Sequence, residues 1–186
     1  VDGSSSTALF IKFFRHLGIE TPFHIPDRLT EGYGPSIPAL ESLKAKGADI
    51  VFIADCGTTS FEVVKAGRAM GLDIVIFDHH EAEDTLPDAN FVINPKRSDD
   101  ESNLDMLCAA AVCFMACVAM NNALREKGYY AEKSIEEPPL KTWLDVVALA
   151  TICDMVPLLG ANRLFVRYGF QQMAQSENVG LRALLN

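Results

Sequence analysis

Residues 72–81 read LDIVIFDHHE, an apolar run that ends abruptly in an acid and two histidines. The apolar part is short and rich in β-branched residues, which predicts a strand buried on both faces of a parallel sheet. Ligands bind α/β proteins outside the carboxyl ends of such strands. The segment therefore places Asp78, His79 and His80, which can all bind metal, where such a protein carries out its chemistry. The alternative is a polar turn in which one histidine caps the next element.

The same arrangement occurs earlier in the chain. Residues 49–54 read DIVFIA, and Asp55 follows them in a loop rich in glycine and hydroxyl side chains. A helix predicted over residues 61–70 separates the two strands, and residues 90–94 predict a third short strand. Because predicted strands alternate with predicted helices, we expect an α/β fold with a doubly wound, mainly parallel sheet flanked by helices.

The rest of the chain is predicted to be mostly helical and to form one domain over residues 1–186. Residues 26–35 have the composition of a loop, residues 21–25 predict a short strand, and residues 128–139 predict a polar linker of low order. Apolar residues at helical spacing predict helices over residues 4–17, 36–46, 104–127, 140–152 and 162–174, with a further helix after Ser176.

The composition indicates which classes of protein the chain could belong to. About half of the residues are hydrophobic, so the chain is globular, and the formal net charge of −9 argues against a broad nucleic-acid-binding face. The five cysteines show no C-x-x-C spacing, which favours reduced thiols in the cytoplasm. The longest strongly apolar run, residues 107–120, is too short to span a bilayer, so no membrane association is expected.

Acidic residues recur at the ends of apolar segments. Asp55 and Asp78 follow predicted strands, Asp154 follows an apolar helix, and Asp2 lies in what looks like a truncated version of the same arrangement. Carboxylates with one or two imidazoles favour Mn²⁺ or Mg²⁺ over zinc. Because paired cations are the usual means of hydrolysing phosphate esters, the residues by themselves predict a metal-dependent phosphoesterase.

The chain also resembles the DHH phosphoesterase superfamily, and within it the RecJ family of single-strand-specific DNA exonucleases. The resemblance covers essentially the whole chain. The superfamily motifs are VDG at residues 1–3, DCGT at 55–58, DHH at 78–80 and TICDMVPL at 151–158. The stretches that resemble RecJ in particular are PDR at residues 26–28, EGYG at 31–34, VINPKR at 92–97 and NR at 162–163.

The resemblance implies a role for each matching residue. It implies two Mn²⁺ (or Mg²⁺) ions in the intact protein, with Asp55 bridging them. It makes Asp2, His79 and Asp154 the other ligands of one ion. His80 would face the scissile phosphate, and Asp78 would orient a histidine. Weaker candidates for substrate contacts are Arg28, Asn162 and Arg163, although Asn162 and Arg163 could equally be a surface pair that caps a helix.

The implied activity is metal-dependent 5′→3′ degradation of single-stranded DNA in repair and recombination. Two alternatives stay open: a DHH hydrolase of small substrates such as pyrophosphate, short oligonucleotides or cyclic dinucleotides, and a non-catalytic replication scaffold. The stretches at residues 31–34 and 162–163 favour the exonuclease. The presence of Asp55, His79, His80 and Asp154 argues against a scaffold that has lost its metal ligands.

The chain departs from the family in two respects. RecJ proteins carry a D-x-D-x-D-G run in the first motif, and only its last acid, Asp2, is present here. The C-terminal DHHA1 and oligonucleotide-binding domains, which would supply a basic DNA channel, are also absent. We therefore expect a single DHH domain truncated at its N-terminal motif, which folds, binds Mn²⁺ and has little or no exonuclease activity alone.

Overall fold

The sheet consists of three parallel strands. In a computed structural model that describes residues 1–185, β1 (Ile50–Ala54) pairs with β2 (Asp73–Phe77), and β2 pairs with β3 (Phe91–Ile93). Ile50 lies opposite Asp73, and Val75 lies opposite Phe91. The connection between β2 and β3 contains no helix and carries Asp78, His79 and His80. The predicted parallel sheet is therefore confirmed.

Helices cover both faces of the sheet. Alternate strand residues point to opposite faces, so Phe52 and Phe77 pack into one apolar cluster and Val51 and Ile76 into another. The first cluster lies against α1 (Asp2–His16), α4 (Ala109–Glu126) and α6 (Leu144–Cys153), and the second against α2 (Ile37–Ala45) and α3 (Phe61–Ala69). The remaining helices are α5 (Tyr129–Lys133), a 3-10 helix (Leu140–Trp143), α7 (Gly160–Met173) and α8 (Val179–Leu185).

Two local predictions outside the metal centre were wrong. Residues 21–25 do not form a strand, because no neighbouring strand pairs with them, and Phe23 and Ile25 are half-exposed. The region predicted as a linker of low order contains α5. It is fixed to α4 because Tyr130 donates a hydrogen bond to Asn121 and Arg125 pairs with Glu137. The first error concerns pairing with another strand and the second concerns side-chain contacts 9 and 12 positions apart in the chain, and composition shows neither.

Helices α6 and α7 pack closely at Gly169. A Cβ atom added there would overlap the Cβ of Ala148 and the carbonyl oxygen of Leu144. Because the second obstacle is helix backbone, it cannot move aside by changing a rotamer.

Among residues 1–185, no helix combines the length and the apolar character needed to cross a bilayer.

The Gly169→Ala substitution is therefore expected to lower the free energy of unfolding by about 3 kcal/mol, since overpacking against rigid atoms forces helices apart. Urea denaturation followed by circular dichroism measures this change. Gly180→Ala in α8 is the control, because its added Cβ has only the Asn178 side-chain oxygen nearby, at 3.3 Å. Equal denaturation midpoints for the two variants would contradict the packing argument.

Candidate metal centre

Four polar segments converge at the carboxyl end of the sheet. Asp55 directly follows β1, His79 lies in the loop after β2, Asp154 caps the end of α6, and Asp2 is the first residue of α1. The His79 Nε2 atom lies 3.4 Å from Asp55 Oδ1, 3.7 Å from Asp2 Oδ2 and 3.7 Å from Asp154 Oδ2. The structure thus brings together the four residues predicted as metal ligands.

The spacing of these atoms suits one divalent cation. Ligands about 2.1 Å from an octahedral ion lie about 3.0 Å apart when adjacent and about 4.2 Å apart when opposite. The three distances from His79 Nε2 fall between these limits. The ligand atoms of Asp2, His79 and Asp154 all lie within 4.8 Å of one another, and so do those of Asp55, His79 and His80. Small side-chain adjustments would close either group around an ion.

The charges around His79 also favour a cation. Burial lowers the pKa of His79, but the hydrogen bond to Asp55 and the charges of Asp154 and Asp2 outweigh it, so the pKa is raised. Three carboxylates around one imidazole stabilise positive charge in either of two forms, a proton on His79 or a metal ion. Since a histidine ligand must be neutral, a bound cation and the His79 proton exclude each other.

Asp78 fixes the orientation of His80. It is almost fully buried, and its Oδ1 lies 2.6 Å from His80 Nδ1 and accepts a hydrogen bond from His79 N–H, while its Oδ2 accepts one from Thr58 N–H. Burial alone would raise the pKa of Asp78, but the hydrogen bonds from His80, Thr58 and His79 bring it below its usual value. The carboxylate thus engages Nδ1 and leaves His80 Nε2 as the ring atom that can face a ligand.

A known protein family matches most of the chain. The chain matches the DHH family, N-terminal domain, over residues 1–151.

The chain belongs to the DHH family.

The curated relatives include single-stranded-DNA-specific exonucleases named RecJ. The chain is 36% identical to the protein from Salmonella typhimurium, and the match covers 99% of this chain and 32% of that protein. It is 30% identical to the protein from Bacillus subtilis, and that match covers 99% of this chain and 22% of the relative. It thus spans about a third or less of the length of these relatives.

Solved structures share the fold. One is an exonuclease RecJ bound to manganese, with a TM-score of 0.80 and 28% identity over 98% of this chain and 44% of that one. Another is RecJ from Thermus thermophilus in complex with Mn²⁺, with a TM-score of 0.74 and 25% identity over 98% of this chain and 24% of that one.

In this DHH domain Asp2 lies at the metal centre and also accepts hydrogen bonds from a neighbouring helix. It was predicted in a loop before a helix starting at Ser4, but it lies inside α1 and is buried. Its two oxygens accept hydrogen bonds from the backbone N–H groups of Ala109 (2.7 Å) and Ala110 (2.9 Å). The carboxylate therefore caps the N-terminus of α4, which is why α4 begins at Ala109 and not at Leu104 as predicted.

The Asp2→Ala substitution is expected to lower the free energy of unfolding by about 2–4 kcal/mol, because it leaves two buried N–H groups without an acceptor. Asp2→Asn should cost less, since its amide oxygen still accepts one of the two hydrogen bonds. Denaturation in the presence of a chelator separates this effect from metal binding. Asp105→Ala, which removes an exposed acid nearby, is the control. The capping role is wrong if Asp2→Ala and Asp105→Ala unfold at the same urea concentration.

Three polar residues at the centre, Tyr33, Thr58 and Asn94, had no role predicted from the sequence. Tyr33 lies with its hydroxyl oxygen 2.9 Å from the Asp55 carbonyl oxygen and 3.2 Å from His80 Nε2. Asn94 donates from Nδ2 to Thr58 Oγ1 and to the His80 carbonyl. All three lie in stretches that resemble the family, at residues 31–34, 55–58 and 92–97. The sequence therefore marked these stretches, but it did not show what the three side chains do.

The structure places the three candidate substrate residues differently. The Arg28 guanidinium lies 5.4 Å from the centre of the Tyr33 ring, beside the metal centre. Asn162 is fully buried, and its Nδ2 donates to the carbonyl oxygens of Met106 and Pro157, so it holds the segment before α7 and offers no accessible atom. Arg163 is exposed on α7. Arg28 therefore lies against a residue whose hydroxyl contacts the centre.

Proposed function

We propose that this DHH domain is the catalytic part of a metal-dependent exonuclease that degrades single-stranded DNA from the 5′ end in repair and recombination. The observation that carries the proposal is the convergence of three carboxylates on His79 Nε2, with His80 beside them. The sequence identity of 30–36% to RecJ exonucleases over nearly the whole chain supports single-stranded DNA as the substrate. The five cysteines show no C-x-x-C spacing, which favours reduced thiols, so we propose that the activity takes place in the cytoplasm.

The metal ligands that we propose are Asp55, His79 and Asp154, with Asp2 beside them. Asp2 has both oxygens bonded to α4 and can share only a remaining lone pair, whereas Asp55 and Asp154 are partly exposed toward the centre. A bound Mn²⁺ or Mg²⁺ would polarise the phosphodiester and lower the pKa of a water nucleophile. The RecJ structures with Mn²⁺ support this choice of metal. The further proposal that Asp55 bridges two ions rests on the resemblance.

His80 would act on the substrate directly. Its side chain is 49% exposed, and its Nδ1 is held by Asp78, so a hydrogen on Nε2 could be donated to an anionic phosphate oxygen. Asp78 would keep the ring in this orientation throughout the reaction. Arg28, with its permanent positive charge, would attract the DNA backbone toward the same side of the centre.

DNA binding would need surfaces that this domain does not supply. The formal net charge is −9, whereas affinity for DNA depends on Lys and Arg neutralising phosphates. The RecJ relatives are at least about three times as long as this chain, and we propose that DHHA1 and oligonucleotide-binding domains provide the basic surface in the intact protein.

The test is a nuclease assay with the domain in a protein as long as its RecJ relatives. We expect Mn²⁺-dependent release of nucleotides from a single-stranded oligodeoxynucleotide, loss of activity with a chelator, and little cleavage of the matching duplex. Hydrolysis of pyrophosphate or cyclic dinucleotides in the same preparation, without attack on the oligodeoxynucleotide, would show that the enzyme is instead a hydrolase of small substrates.

A further inference from the structure

Tyr33 makes contacts that core packing does not explain. The residue is 61% exposed, so its ring contributes little buried area. Nevertheless, its hydroxyl lies within hydrogen-bonding distance of two residues that are far away in sequence and belong to two different loops of the metal centre. It donates to the Asp55 carbonyl at 2.9 Å and lies 3.2 Å from His80 Nε2. The hydroxyl therefore joins the loop after β1 to the loop after β2.

The Asp55 contact falls on a strained part of the backbone. Asp55 has a φ of +64°, in the left-handed region that residues with a Cβ atom rarely adopt. Such a conformation persists only where surrounding contacts hold it. The Asp55 N–H donates to the Phe77 carbonyl on one side, and the Tyr33 hydroxyl binds the Asp55 carbonyl on the other. Tyr33 thus helps to hold the backbone that carries a proposed metal ligand.

The His80 contact completes the orientation of the imidazole. Asp78 engages Nδ1 at 2.6 Å and Tyr33 engages Nε2 at 3.2 Å, so the two ring nitrogens are held from opposite sides. A tyrosine hydroxyl carries one hydrogen. When Tyr33 donates it to Asp55, the hydroxyl can only accept from His80, and that arrangement requires Nε2 to carry a hydrogen. Contacts at both ring nitrogens therefore fix the orientation of the His80 ring.

The loop that carries Tyr33 is built to keep it in place. Glu31 accepts a hydrogen bond from Asp27 N–H and pairs with His24 at 2.9 Å, while Asp27 accepts from Leu29 and Thr30 N–H. Gly32 (φ +86°) and Gly34 (φ +90°) flank Tyr33 and allow the sharp turns on either side of it. The Arg28 guanidinium lies over the ring face.

We propose that Tyr33 is a positioning residue for the hydrolysis, because its hydroxyl holds the His80 ring and the Asp55 backbone in one fixed relation. The inference rests on the proposed phosphodiester hydrolysis and assigns to that reaction a residue from a third loop. Tyr33 acts through His80 and Asp55, so its removal should slow the chemical step more than it weakens substrate binding.

The test is Tyr33→Phe, which removes the hydroxyl and keeps the ring under Arg28. With a single-stranded oligodeoxynucleotide and Mn²⁺, we expect kcat to fall by about 10–100-fold and KM to change by less than about threefold, as for other residues that orient catalytic groups. The matched control is Tyr168→Phe, which removes a hydroxyl from the exposed face of α7 and should leave both constants unchanged.

A second measurement does not depend on activity. The chain has four histidines, so long-range ¹H–¹⁵N spectra of the metal-free protein can resolve the ring nitrogens, with His80 assigned through a His80→Gln variant. We expect Tyr33→Phe to shift the His80 Nε2 resonance and to leave that of His16, which contacts Glu136, unchanged.

The outcomes separate the positioning role from the proposed function. An unchanged His80 spectrum, or an unchanged kcat, in Tyr33→Phe overturns the positioning role. A change confined to KM would instead make Tyr33 a substrate contact, which also overturns it. If the unmutated protein does not attack the oligodeoxynucleotide but the His80 resonance still shifts in Tyr33→Phe, the proposed function is wrong while the orientation of His80 by Tyr33 stands.

Discussion

Replacing His80 with alanine is expected to lower kcat for single-strand degradation by about 10³-fold without weakening Mn²⁺ binding. The reason is geometric. The Nδ1 atom of His80 is engaged by Asp78, and its side chain is half-exposed, so Nε2, which lies 3.2 Å from the Tyr33 hydroxyl, can still turn toward a substrate oxygen. The proposed ligands Asp55, His79 and Asp154 are untouched by the substitution. Nuclease kinetics and Mn²⁺ titration by calorimetry measure the two effects separately.

His16→Ala is the control for this experiment, because His16 lies at the end of α1 and contacts the Glu136 carbonyl. Its removal should leave kcat and Mn²⁺ affinity unchanged. If His80→Ala loses Mn²⁺ affinity by the same factor as kcat, His80 is a ligand of the metal and not a group that acts on the phosphate. The grouping of Asp55, His79 and His80 makes that outcome a real alternative.

Replacing Asp55 should abolish both metal binding and activity. Asp55→Asn is the sharper variant, since asparagine tolerates the left-handed backbone at this position whereas alanine adds strain. We expect Mn²⁺ affinity to fall by more than about 100-fold, because even the loss of a group that merely orients a ligand costs about 10–100-fold. Calorimetric titration of the folded variant with Mn²⁺ measures this fall.

Asp49→Asn provides the matched control at the opposite end of the same strand. The Asp49 side chain is 91% exposed and lies 3.5 Å from Lys44, far from the centre, so the substitution should leave Mn²⁺ affinity unchanged. Asp55→Asn protein that binds Mn²⁺ as tightly as the unmutated protein would remove Asp55 from the proposed ligands. Asp55→Ala, studied in parallel, shows how much of any change comes from the backbone.

The sequence by itself predicted the sheet and the polar ends of its strands. A short run rich in β-branched residues, such as residues 73–77, predicts a strand of a parallel sheet, and the loops that follow the carboxyl ends of parallel strands lie at one edge of the sheet. For that reason Asp55 and His79 could be placed together from the local sequence pattern. Asp154 follows a helix, and its place beside them was implied by the resemblance. The roles of all three as ligands are still predictions.

Only the tertiary structure decided which distant groups complete the centre. Asp2 caps a helix that begins 107 positions later in the chain, and Tyr33 reaches His80 across 47 positions. Asn162, predicted as a substrate contact, is buried under the segment that precedes α7. Hydrogen bonds of this kind depend on where packing brings two segments together, whereas hydrophobic periodicity reports only which face of one segment is buried. The strands and the acidic residues that follow them could therefore be predicted from the sequence, whereas the residues that orient those acids could not.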